Sequence, residues 1–305
     1  MRKYGTRGDL VGRRAATHFP RAAVMIGVML YAPAAMAGGS SFVEEFDFLD
    51  TARWYVSDGW NNGDWHGCTW SRNNVVVSGG VLRLILDTQA LGDRAYSCGE
   101  IQTRSFYGYG TYEVRMRTLA ESGTVSAFFT YTGPVHNNPW DEIDIEVLGK
   151  SPDSFQANYY VDGKGDKERI VSLGFDSSAS MNDYAFVWAP DSLRWYVDGR
   201  LVHEATSASG PLPATESKLY MSLWNGRGAN MESWLGKFMP SSFAMRMEID
   251  RVAYTAPGTS CQFPQSIVCT IGAEPVFPPP PEIAPEPEPE PIRTKPGNNK
   301  GGRKK

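Results

Sequence analysis

Residues Trp140 to Gly149 read Trp-Asp-Glu-Ile-Asp-Ile-Glu-Val-Leu-Gly, and from Glu142 onward acid and aliphatic residues alternate with period two. In a β-strand that spacing sets Glu142, Asp144 and Glu146 on one face and Ile143, Ile145 and Val147 on the other. Three neighbouring carboxylates repel one another at neutral pH, so a fold gains nothing from them unless the face binds something or reacts. Four residues of strand separate the Cα atoms of Glu142 and Glu146 by ~13 Å, and glutamate side chains leaning inward bring the carboxyls to roughly 5–6 Å. At that separation one carboxylate can attack a glycosidic carbon while the other passes a proton. Asp144 between them adds charge that keeps a proton on a neighbour, so the three are expected to titrate as a coupled set. The plain alternative is an ordinary solvated strand face.

The segments that must position this strand are short, alternating and separated by turns, with no long stretch of 3.6-residue period. That pattern marks an all-β sandwich or barrel. Val75 to Leu84 reads as a hairpin over Gly79-Gly80, and Arg194 to His203 as a hairpin over Asp198-Gly199. Tyr112, Val114 and Met116 alternate with Glu113, Arg115 and Arg117, a strand with one dry and one wet face. Ser126 to Tyr131, Leu219 to Leu223 and Met245 to Tyr254 complete the set. Two antiparallel sheets packed face to face bury the aliphatic sides and, if one is curved, leave a concave groove on the side carrying Glu142.

Residues 1–37 have the form of a secretion signal: six basic residues, an apolar run from Ala22 to Leu30, and Ala35-Met36-Ala37 before Gly38. General secretion fits better than a twin-arginine route, and the run is too short to span a membrane. The expected organisation is a leader over 1–37, a domain over 38–256, a cysteine-containing extension over 257–273, and a Pro/Glu-rich disordered tail with a basic tip over 274–305. The whole chain carries −4; its first 37 residues hold six basic residues and one acid, which leaves −9 on the rest. A chain so charged is a poor partner for nucleic acid or an anionic membrane surface, whereas a neutral polysaccharide is not penalised. The exported chain, secreted or periplasmic, is expected to act as a monomer.

Four cysteines lie beyond the leader, and an even number in an oxidising compartment favours two disulfides over a metal cluster. Three connectivities are open; the one chosen here joins Cys68 to Cys98 and Cys261 to Cys269. Nine tryptophans are many for this length, and several sit beside Gly and Asn, where rings can stack on sugar C–H faces. Sugar contact is assigned to Trp140, Trp224 and Trp234, and core packing to Trp188 and Trp195, which lie in alternating strands. His66, His136 and His203 are read as surface or hydrogen-bonding residues.

The chain resembles glycoside hydrolase family 16, and within it the bacterial lichenases, over nearly all of residues 41–255. The resemblance is carried by Cys68-Thr69-Trp70, Tyr107 to Gly110, Phe128 to Pro134, Trp140 to Gly149, Asn158-Tyr159-Tyr160, Trp195 to Gly199, Leu223 to Gly226 and Ser233 to Gly236. It implies a β-jelly-roll with a concave glucan cleft, and the same Cys68 to Cys98 bridge. By position it makes Glu142 the nucleophile, Glu146 the general acid/base and Asp144 their helper. It further implies cleft roles for Asn62, Glu100, Phe129, Tyr131, Trp140, Asn158, Tyr160, Trp224 and Trp234. No cofactor is implied for catalysis, and a structural calcium is implied at Asp250 with backbone carbonyls near Glu45 and Gly80. Gln102 stands where lichenases carry Arg, and Ser222 where they carry Asn. The Gly99 to Thr103 run, Gly-Glu-Ile-Gln-Thr, and the Cys261 to Cys269 segment resemble secreted endo-β-1,3-1,4-glycanases that trim bacterial exopolysaccharides.

The expected function is that of a secreted, retaining endo-β-glucanase cutting β-1,4 bonds in mixed-linkage β-1,3-1,4-glucan. One alternative is an exopolysaccharide depolymerase or transglycosylase using the same carboxylates. Another, from a different class, is a carbohydrate-binding sandwich without catalysis.

Overall fold

The computed structural model of the chain describes residues 39–240 and 245–271, so the leader expected over 1–37 and the tail expected over 274–305 lie outside the described residues. In chain order the first strands are β1 (Phe42–Glu44), β2 (Trp54–Val56), β3 (Cys68–Trp70), β4 (Val75–Ser78), β5 (Val81–Asp87), β6 (Tyr96–Thr103), β7 (Gly110–Arg117) and β8 (Thr124–Thr132). They are followed by β9 (Asp141–Leu148), β10 (Ser154–Tyr160), β11 (Arg169–Ser172), β12 (Asn182–Trp188), β13 (Ser192–Val197), β14 (Arg200–Thr206), β15 (Lys218–Asn225) and β16 (Met245–Thr255). A short helix, α1 (Ala229–Leu235), follows β15, and α2 (Val268–Ile271) ends the described chain.

Two antiparallel sheets form a jelly-roll sandwich. One runs β11-β10-β9-β8-β15-β6, with β2 on the far side of β6. The other runs β14-β13-β12-β7-β16-β5, with β4 on β5 and β1 on β16. The sheets join where Leu86 and Asp87 of β5 pair with Cys98 and Ser97 of β6. The short β3 runs parallel to β6. Both expected hairpins form: Ser78 pairs with Val81 across Gly79-Gly80, and Val197 with Arg200 across Asp198-Gly199. All four turn residues have positive φ, as a two-residue turn of this twist requires.

Ile143, Ile145 and Val147 are fully buried in the main core, together with Phe128, Phe186 and Trp195. Each aliphatic side chain stabilises the fold by roughly 1.5–3 kcal/mol, so burial on this face fixes the register that turns the acidic face outward. A one-residue slip would exchange the two faces.

The strand expected to have a wet face departs from that reading at Glu113, which is buried. Its carboxylate accepts hydrogen bonds from the Ser266 hydroxyl at 2.7 Å and the Ile267 backbone N–H at 2.8 Å. Ile267 closes a small apolar cluster with Ala185, Val187 and Tyr196. The cysteine-containing extension therefore covers the outer face of the second sheet, away from the acidic strand. Cys68 is bonded to Cys98, and Cys261 to Cys269. Among the described residues no helix is long and apolar enough to cross a membrane.

Candidate active site

Strand β9 is held at both ends and along its length. Asp141, buried at its start, accepts hydrogen bonds from the backbone N–H groups of Asp162, Ala214 and Thr215 at 3.1, 2.9 and 3.0 Å. At its end Gly149 runs so close to the loop between β7 and β8 that a Cβ there would fall 2.1 Å from the Glu121 carbonyl oxygen. Trp195 donates its indole N–H to the Asp144 carbonyl at 3.0 Å, tying the middle of the strand to the core.

The neighbouring strands bring cross-strand partners to each acid. Glu142 lies between Tyr131 of β8 and Tyr160 of β10, Asp144 between Phe129 and Asn158, and Glu146 between Ala127 and Gln156. All three acids line one cavity of about 820 Å³ on the outer face of the sheet. Asn62, Glu100, Phe129, Tyr131, Trp140 and Trp224 line it as well.

Three residues assigned to the cleft are placed differently. Asn158 is buried beside Asp144 and accepts from the Tyr159 backbone N–H through its own side chain. Tyr160 stacks under Trp140, ring centroids 5.0 Å apart and planes 13° apart, so it supports the wall without lining the cavity. Trp234 donates to Gln156 Oε1 at 3.0 Å and lines a separate groove of about 330 Å³ with Lys150, Ser154 and Ile170. Conversely, Tyr55, Trp60, Trp65, Gln102, His136, Tyr220 and Ser222 line the main cavity. Tyr220 was open to detection, since it alternates with Ser222 and Trp224 and so shares their face. Trp65, in a turn, and Val135, in the single 3-10 turn Pro134–His136, line the cavity too, and segments so short have no periodicity to announce a face.

The electrostatics separate the three acids. Burial pushes Glu142 up to about 7, opposed by a hydrogen bond from the Trp140 indole N–H to its Oε2 at 2.6 Å and by one from Asp144. Burial, then the charges of Glu142 and Glu168, push Glu146 up to about 8. Asp144 is pushed well above the usual carboxylate range by burial and then by the charges of Glu142 and Glu146. Its side chain shares a hydrogen bond with that of Glu142. All three carboxyls are thus raised together as one coupled set, which lets one be ionised while a neighbour holds a proton near neutral pH, as acid–base chemistry at a glycosidic bond needs.

Glu100 is 2% exposed, accepts from the Ser57 hydroxyl at 2.6 Å, and is raised to about 8 by burial. His66 departs from the surface reading: it is buried against Trp70 and Trp224, with Nδ1 2.8 Å from the Cys68 carbonyl. Burial depresses it to about 3, and the two sulfurs beside it are those of the Cys68 to Cys98 bridge, so this trio is no metal site.

Three carboxylates on one strand facing an open aromatic cavity, within a two-sheet sandwich, can be compared with known proteins. The sequence model of Glycosyl hydrolases family 16 matches residues 62–247. The chain belongs to this family. It is 44% identical over 231 residues to the endo-1,3-1,4-β-glycanase ExoK of Rhizobium meliloti (strain 1021), covering 76% of this chain and 84% of that one. It is 46% identical over 208 residues to the β-glucanase of Bacillus subtilis (strain 168), covering 68% of this chain and 83% of that one. Among solved structures, the Bacillus licheniformis β-glucanase superposes with a TM-score of 0.67 at 44% identity, over 72% of this chain and 99% of that one. The family 16 chain is thus a glycoside hydrolase, and its jelly-roll is the scaffold of that family.

Proposed function

We propose that this family 16 enzyme is a retaining endo-β-glucanase that hydrolyses β-1,4 bonds in mixed-linkage β-1,3-1,4-glucan. The observation that carries the reading is the placement of Glu142 and Glu146 on one face of β9, with Asp144 between them and the cavity open above. The identity to β-glucanases and to an endo-1,3-1,4-β-glycanase supports the substrate class.

In the first step the Glu142 carboxylate attacks the anomeric carbon and the bond to the leaving oxygen breaks as Glu146 gives that oxygen its proton. In the second, Glu146 takes a proton from water, and that water displaces Glu142 from the sugar. The two carboxyls carry this chemistry without a cofactor. Trp140 is 39% exposed at the cavity mouth and Phe129 stacks on Tyr220 along the cavity wall, surfaces suited to sugar rings. Glu142→Gln removes the nucleophile with little change of volume. Turnover of barley glucan is expected to fall at least ~10³-fold with the melting temperature preserved; wild-type rates in that variant would refute the assignment.

The natural polymer can differ from plant glucan. Gln102 lines the cavity where lichenases carry Arg, and a relative with 44% identity is an endo-1,3-1,4-β-glycanase. Product sizing on lichenan, laminarin and an acidic bacterial β-glycan separates these substrates. Export to the periplasm or medium fits the two disulfides, which belong in an oxidising compartment.

A structural calcium is a further part of the reading. Pairing of Glu44 with Val252 and of Leu82 with Ile249 brings Glu45, Gly80 and Asp250 into one neighbourhood, with the Glu45 carbonyl oxygen 3.9 Å from where a Gly80 Cβ would stand. Carbonyl and carboxylate oxygens suit Ca²⁺. Against this, the Asp250 carboxylate, the one side-chain ligand of the set, is paired with Arg115 at 3.3 Å. A melting temperature unchanged by chelation would reject the ion.

A further inference from the structure

Beside one end of the cavity stand two positive charges that the carboxylate chemistry does not use. In the row of cross-strand partners that contains Glu142, the next residues are Tyr131 on β8 and Lys218 on β15. Two strand spacings put Lys218 ~10 Å from the Glu142 backbone across the sheet. Lys218 donates to Gln102 Oε1 at 3.2 Å and lies 5.5 Å from the Phe106 ring centroid. Gln102 itself lines the cavity, and with its oxygen engaged it offers its amide N–H groups as donors. Arg104 follows on the same chain segment, its guanidinium 5.6 Å from the centroid of Tyr55, another cavity-lining ring.

Neither cation has a carboxylate ion-pair partner among the described residues, whereas nine arginines there do. Glu216, two residues before Lys218, lies against Gly108 instead. Lys218 is half-buried, and burial and the nearby Arg104 push its ammonium below its ordinary range. Two like charges, near enough to influence each other, thus stand behind the lining residues Tyr55 and Gln102, in a chain that is acidic beyond residue 37. Such a pair repels itself until an anion lies between, and a neutral glucan supplies none.

We propose that the end of the cleft lined by Tyr55 and Gln102 takes a carboxylate-bearing sugar of the polysaccharide, held by Lys218 and Arg104. The proposal rests on the glucanase reading, because it names a substituent carried by the polymer that Glu142 and Glu146 cut. Lysine supplies a point charge and arginine a planar fork for the carboxylate. The acidic sugar lies on the β6 side of the cleavage point, separated from it by the width of about two to three strands.

The test uses the full chain and two polymers with one backbone: native lichenan, and lichenan in which a fraction of the C6 hydroxymethyl groups has been oxidised to carboxylates. The ratio of kcat/KM on oxidised to native polymer is expected to exceed one for the wild type. It should fall about tenfold in Arg104→Ala/Lys218→Met, with native lichenan changed by less than about threefold, and recover in Arg104→Lys/Lys218→Arg. Raising the salt from about 20 to 500 mM should shrink the wild-type ratio, as screening requires. Binding to the inactive Glu142→Gln protein, followed by calorimetry with native and oxidised oligosaccharides, should show the same preference and the same loss. A wild-type ratio at or below one, or a preference untouched by the double substitution in both assays, overturns the proposal. Failure to cut native lichenan would instead sink the glucanase reading, and the binding assay would still decide the cationic end.

Discussion

Replacing Trp140 by Phe should move the pH profile of the enzyme more than its affinity for glucan. The indole N–H donates to Glu142 Oε2 at 2.6 Å, while the ring stacks on Tyr160. Phe keeps an aromatic ring and removes the donor. A hydrogen bond to a charged group contributes roughly 1.5–3 kcal/mol, and 1.36 kcal/mol corresponds to one pKa unit, so its loss raises Glu142 by about 1–2 units. Glu142 stands at about 7 and Glu146 at about 8, and turnover needs the first ionised with the second protonated. The variant therefore carries Glu142 to or past its partner, and at pH 7 the productive state falls about 5- to 50-fold. The groups are coupled, so what shifts is the acid limb of the pair as a whole. The assay is kcat/KM on lichenan by reducing-sugar release from pH 5 to 10. An acid limb within ~0.3 unit of wild type would refute the argument, whatever happened to KM.

Two further outcomes follow from groups away from the reacting carbon. Glu100 is raised by burial from 4.5 to about 8 in the folded chain, so the stability it contributes is fully present below pH 4.5 and is lost as pH rises through 8. Glu100→Gln should flatten the fall in melting temperature between pH 5 and pH 9, with a difference on the order of a few kcal/mol at the alkaline end; parallel curves would contradict this. Ile267→Ala should lower unfolding stability by about 2 kcal/mol in urea, because the side chain packs on Ala185, Val187 and Tyr196. Its kcat/KM on lichenan should stay at the wild-type level, since that face of the sandwich is not the one carrying the acids.

The acidic strand and the two hairpins could be read locally, because period-two alternation and Gly79-Gly80 or Asp198-Gly199 turns are encoded within about ten residues. Glu113 could not: its strand alternates like any half-wet strand, and the residues that cover it, Ser266 and Ile267, are more than 150 positions away. His66 failed for a similar reason, since its burial depends on Trp224, more than 150 positions away, as well as on the neighbouring Trp70. Trp234 sits beside Gly as the cleft tryptophans do, but α1 turns it toward Gln156 and the smaller groove. The aromatic lining was legible as a composition and only partly as positions. Tyr160 shows why: a ring in the row that contains Glu142 is spent on supporting Trp140.

The central claim is that Glu142 forms a bond to sugar while Glu146 moves the proton. Proton NMR of lichenan during the first minutes of hydrolysis tests it most directly, by following the anomeric signal of the new reducing end before mutarotation. Two displacements on the same carbon restore the starting configuration, so the β-anomer should appear first and the α-anomer only later. Initial release of the α-anomer would mean a single displacement by water, and Glu142 could not then be the nucleophile.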